Sequence, residues 1–210
     1  MIYKFPPQSE PIRQGDIFIN IPKVEFDLER LLVSEPESSN LTSEEWLDVS
    51  KGRDAFSALV SFRPVTAIVI TQNCDAVRND DIALCEIRTF NDITGSTPNH
   101  PKGTMSKITK HSRIDQKWFY LPPDSKIGFS DKMAVGFKLV LGASRTYLEK
   151  NISHLRKGCL NKVAYEHFRE RLSEYFRRYP YDVWYALDKK ELETYIKKMP
   201  EPISPYPWQK

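Results

Sequence analysis

The chain is poor in cysteine, with three in 210 residues. An odd number without paired spacing excludes a disulfide framework, so Cys74, Cys85 and Cys159 are expected to be reduced thiols. Those cysteines and the four scattered histidines form no C-x-x-C or H-x-x-x-H pair, and neither a metal nor another cofactor is expected. No apolar run approaches the ~20 residues of a membrane span. The opening residues M-I-Y-K-F-P-P-Q lack the basic-then-apolar layout of a secretory signal, so a cytoplasmic protein is expected. A strong charge of either sign is missing too: the net charge of +3 does not by itself argue for nucleic acid.

What the chain does have is polarity along its length. Residues 25–54 hold nine acids against three bases, whereas 102–117 hold five bases against one acid and 145–178 nine against four. An acidic insert near the front and basic segments behind suit an anionic partner on the basic side. A basic helix face turned to water is the plainer alternative.

The hydrophobic pattern predicts an α+β protein. Ile17, Ile19 and Ile21 alternate with Phe18 and Asn20, which predicts a half-buried strand ended by Pro22. Further strands are expected at A-L-V-S-F, at Val65–Ile70, at I-A-L-C-E-I-R-T-F, at K-W-F-Y-L-P-P and at V-G-F-K-L-V-L-G. Together they predict a small β-barrel or curled antiparallel sheet within residues 1–142, carrying the acidic insert 23–56. In that insert, Thr42 and Glu45 make a capping box and Leu41 can staple against Trp46, which predicts a helix over about 43–50. Residues 143–210 are expected to form a C-terminal helical segment and a proline-rich tail, with helices over about 145–157, stopped by Gly158, over 161–179, and from Asp188 to before Pro200. The loop 91–116 is long and aperiodic, as functional loops are.

The sharpest stretch is V-T-A-I-V-I-T-Q-N-C-D-A-V-R. A strand buried on both faces ends at Thr71, Gln72, Asn73, Cys74 and Asp75, so a rigid element delivers reactive groups to one rim of the core. Cys74 and Asp75 are therefore candidate catalytic residues. A nucleophilic Cys74 needs a base or a cation beside it, and His100, His111, Arg63 and Arg78 are the candidates. Asp75 works against it by raising the thiol pKa. The alternative is a small core thiol followed by a capping Asp. Candidate binding residues are Arg13, Gln14, Gln72, Arg78, Lys102, Lys107, Lys110 and His111.

The segments R-Q-G-D-I-F and F-R-P-V-T-A-I-V-I-T resemble the PemK/MazF family of small β-barrel toxins over residues 13–22 and 62–71. The chain is also similar to a group of uncharacterised bacterial proteins that combine G-D-I, T-Q-x-C-D, Y-L-P-P and a basic C-terminal helix. The first resemblance implies an endoribonuclease in which Arg63 stabilises charge on a scissile phosphate and Thr71 assists. The acidic insert and the roughly 40 residues between the motifs depart from that compact arrangement. The expected function is a binding or adaptor module of a bacterial toxin or phage-defence type system, contacting nucleic acid or a partner protein and possessing the capacity to oligomerise. Endoribonuclease activity and thiol chemistry at Cys74 are the alternatives.

Overall fold

A computed structural model describes residues 2–34, 41–51, 57–95, 108 and 117–177. By its contacts the chain divides into units 1–172 and 173–210. The described elements are β1 (Tyr3–Lys4), β2 (Asp16–Glu25), β3 (Leu31–Ser34), β4 (Leu41–Glu44), α1 (Trp46–Val49), β5 (Ser57–Leu59), β6 (Ser61–Val69) and α2 (Asn73–Ala76). They continue with β7 (Asp81–Thr89), α3 (Phe90–Gly95), β8 (Trp118–Leu121), β9 (Met133–Ser144), α4 (Arg145–Lys150), α5 (Ile152–Leu155), β10 (Arg156–Leu160) and α6 (Lys162–Phe176). The helix expected from Asp188 to before Pro200, the proline-rich tail, and most of loop 91–116 lie outside the described residues.

The protein is α+β, with a seven-stranded antiparallel sheet in the order β1-β10-β2-β6-β7-β9-β8 and a three-stranded sheet β4-β3-β5. Among the described residues the large sheet does not close into a barrel, and β1 and β8 are its edges. Side chains bring its edges together instead. Tyr3 Oη donates to the Pro122 carbonyl just past β8 at 2.8 Å, and the Tyr3 ring meets Phe129 edge-on at 6.0 Å. A curled sheet thus covers its core without a closing ladder.

β6 is central, as its unbroken apolar run predicts, with Ala67, Ile68 and Val69 fully buried. On one face Phe18, Ala67, Val69 and Leu84 pack with Ile12, Ala76, Leu148 and Leu155. Ile17, Ile68 and Cys85 are cross-strand neighbours on the other face. α6 sets Phe168 against Phe119 of β8 and Phe137 of β9, at 5.2 and 5.8 Å between ring centres.

Four local expectations are corrected. The simple alternation in β2 breaks at a bulge between Phe18 and Ile21, where Asn20 takes φ 56°, so Phe18 and Ile21 share a face. Pro22 does not end β2: it sits opposite Pro64, a pairing open to two prolines where the facing pair exchanges no backbone hydrogen bonds. Residues 42–44 form strand β4 against β3, and Thr42 Oγ1 bonds Glu44 Oε1 at 2.9 Å instead of capping a helix. α1 is only four residues, and no side chain caps it. A ladder with β3 outweighs the local capping signal. Finally, the helix over 145–157 breaks at Asn151 and gives way to β10, with Gly158 inside that strand. Glycine is required there by close approach: a Cβ would stand 2.6 Å from Ile127 Cδ1 and 2.9 Å from the Lys4 carbonyl.

Candidate functional site

The two sequence segments R-Q-G-D and T-Q-N-C-D meet at one end of β2 and β6. Gly15 N–H donates to the Val69 carbonyl, Gln14 N–H to Asn73 Oδ1 at 2.9 Å, and Gln14 Nε2 to the Ile70 carbonyl at 2.6 Å. Asn73 Nδ2 in turn donates to Tyr165 Oη at 3.2 Å. Thr71 is absorbed by the backbone, its hydroxyl accepting from Ala83 N–H at 2.7 Å. These bonds make Gln14, Thr71 and Asn73 a lock that fixes the strand ends.

Beneath the lock lies Asp16, with no exposed surface. Arg156 Nη1 reaches Asp16 Oδ2 at 3.2 Å, and Arg13 donates its backbone N–H to the same oxygen at 3.3 Å. Burial raises the Asp16 pKa above the ordinary carboxylate value, and Arg156 only partly opposes it. Arg156 also ties down the proline-rich lead-in through the carbonyls of Pro7 at 2.6 Å and Glu10 at 3.0 Å. Arg13 Nη2 lies 2.8 Å from Glu10 and donates to Cys159 Sγ at 3.5 Å. The thiol beside a cation is therefore Cys159, which is buried, and burial raises its pKa.

Cys74 is exposed on α2, which corrects the reading of it as a core thiol, and Asp75, Gln72 and Arg78 are exposed beside it. Its candidate bases His100 and His111, and the binding candidates Lys102, Lys107 and Lys110, lie outside the described residues. Among the described residues, no group of three or more His, Cys, Asp or Glu is placed to hold a metal ion.

Arg63 stands at the opposite end of β6. Thr71 lies eight positions further along the chain, two past the end of β6, up to about 26 Å away at the usual rise. They cannot contact one phosphate together. Arg63 instead joins Lys23 and Arg88 around Glu86, a carboxylate that the sequence reading overlooked. Arg63 Nη2 and Arg88 Nε reach Glu86 Oε1 at 2.8 and 3.0 Å, while Lys23 Nζ and Arg88 Nη2 reach Oε2 at 2.9 and 3.2 Å. Burial acts to raise the Glu86 pKa, but hydrogen bonds from Arg88, Lys23 and Arg63 outweigh it and bring the value down to about 2. Arg63 Nε also pairs with the exposed Glu25 at 2.6 Å. The one available sequence signal was Glu86 itself, a charge inside the apolar strand I-A-L-C-E-I.

No family model, no curated protein and no solved structure matches the chain.

Proposed function

We propose that this protein is a binding module of a bacterial toxin or phage-defence type system, acting in the cytoplasm, and that it engages a partner protein through its insert. The observation that carries this reading is the outer face of the β4-β3-β5 sheet. Leu31 and Val33 of β3 point inward onto Val49. The alternate positions put Leu32 beside Leu59 of β5, and Ser34 beside Leu41 of β4. All three of these leucines are exposed. Contiguous apolar side chains left in water on a small sheet are what a protein interface covers.

The insert's nine acids against three bases over residues 25–54 set the partner's chemistry: an apolar centre with a basic rim. The resemblance to toxin-type proteins supports the system, while the separation of Arg63 from Thr71 favours binding over RNA cleavage. No helix among the described residues is long and apolar enough to cross a membrane.

The test is co-expression with the products of the two adjacent genes, combined with incubation of the purified protein with single-stranded RNA in metal-free buffer. A neighbour's protein is expected to co-purify with wild type and to be lost from a folded Leu32→Ser, Leu59→Ser double variant, with the RNA intact. Failure of both neighbours to bind overturns the partner reading. RNA cleavage by wild type, abolished in folded Arg63→Ala, replaces it with the endoribonuclease.

A further inference from the structure

The cluster around Glu86 borders a cavity of about 450 Å³, within the size range of small-molecule sites. Its lining divides by chemistry. Arg63 and Arg88 supply planar cationic forks, Thr66 and Thr89 supply hydroxyls, and Ile87 and Met133 supply apolar surface. We propose that this cavity binds a small phosphate monoester of nucleotide size, with the phosphate on Arg63 and Arg88 and the organic body against Ile87 and Met133. The inference is independent of the partner-protein reading, because it concerns a different surface and a ligand that can be titrated directly.

Three features support it. First, the cations are held in place before any ligand arrives: the Glu86 side chain is 3% exposed and its two oxygens accept four bonds from Lys23, Arg63 and Arg88. Nε and Nη2 of each guanidinium are taken by Glu86 and Glu25, which leaves Nη1 of each outside these bonds and able to donate to a phosphate. Second, the side chains of Arg63 and Arg88 are 41% and 26% exposed, although the carboxylate they share is buried.

Third, Glu25 acts as a replaceable anion. It pairs with Arg63 Nε while being 53% exposed itself, and exposed pairs are weak. Lys23, Arg63 and Arg88 balance Glu86, Glu25 and Asp92, which also lines the cavity, and displacement of Glu25 leaves a surplus of one positive charge. A phosphate monoester carries about −1.5 to −2 at neutral pH. Asp92 accepts hydrogen bonds from Thr89 N–H and Oγ1, at 3.3 and 2.7 Å, at the start of α3.

The experiment is calorimetric titration of the full chain at low salt with adenosine 5′-monophosphate, adenosine, inorganic phosphate and a short single-stranded RNA. The monophosphate is expected to bind, adenosine to give no heat, and inorganic phosphate to bind more weakly. Loss of the Arg88 cation in Arg88→Ala should weaken the monophosphate about tenfold or more. Glu25→Gln, at an exposed position that leaves the fold intact, should tighten it. No binding of the monophosphate overturns the proposal, as does an affinity unchanged by Glu25→Gln. Inorganic phosphate binding as tightly as the nucleotide removes the apolar subsite. RNA binding more tightly than the mononucleotide assigns the cations to a strand backbone and overturns the small ligand.

Discussion

The ends of β2 each carry a polar cluster built around one carboxylate, and the two carboxylates respond in opposite ways. Asp16 is fully buried, with bonds to Oδ2 from Arg156 and from the Arg13 backbone, and its pKa is raised. Among the described residues its Oδ1 accepts no hydrogen bond, with Arg13 Nε 3.6 Å away. Glu86 is nearly as buried, yet both its oxygens are filled by cationic donors and its pKa falls to about 2. Burial alone therefore does not decide the sign; the number of charged donors that reach the oxygens does. The Asp16 end is closed and mechanical, holding lead-in, strand and β10 together. The Glu86 end is open to a cavity, with cations only partly covered.

The largest effect is expected at the closed end. Arg156→Met leaves Asp16 buried without its main partner and frees the carbonyls of Pro7 and Glu10, so a loss of about 3 to 5 kcal/mol is expected in urea unfolding. A loss under about 1 kcal/mol would break the contrast between the ends. Next comes Glu86→Gln, which sets three cations against each other; about 2 to 3 kcal/mol should be lost at neutral pH.

The pH dependence separates the two groups further. The folded Glu86 pKa of about 2 lies below its ordinary 4.5, so its stabilisation is present above 4.5 and lost as pH falls towards 2. Asp16 has the reverse sign. Its raised pKa means that its own contribution declines as pH rises from the ordinary 3.8 through the folded value. Melting temperatures of wild type and Glu86→Gln between pH 5 and pH 2 should converge; parallel curves would show that Glu86 does not carry the acid loss.

A smaller effect is expected where β1 meets β10. Gly158→Ala forces a methyl against Ile127 and the Lys4 carbonyl and should cost about 1 to 2 kcal/mol, measured by thermal melting. The smallest is Cys74→Ala on exposed α2, expected to stay within about 0.5 kcal/mol. Cys74 should also react with a thiol reagent in the folded protein while Cys85, pushed up to about 12 by burial, does not.

Much of the fold was legible because strand burial writes itself into composition. The run Val65–Ile70 marked the central strand, and K-W-F-Y-L-P-P marked β8 with its closing prolines. The bulge at Asn20 was hidden, since one inserted residue shifts the side-chain phase without altering the apolar letters. β10 was read as the end of a helix because its pairing partners, β1 and β2, lie far away in sequence. Of the site, Arg63, Arg13 and Gln14 were singled out, but Glu86, Asp16 and Arg156 were not. A charged residue looks solvent-exposed in a one-dimensional pattern until its counterions are known.

The sequence by itself determined the α+β class, the central strand and its polar end, and the acidic insert, because these depend on local periodicity and composition. Only the tertiary structure decided that the sheet curls without closing, that Arg63 and Thr71 stand at opposite ends of one strand, and that Arg63 turns to Glu86. Those outcomes depend on strand register and on which charges are buried together. Such pairings join residues such as Lys23 and Glu86 across 63 positions of chain, beyond the reach of any local signal.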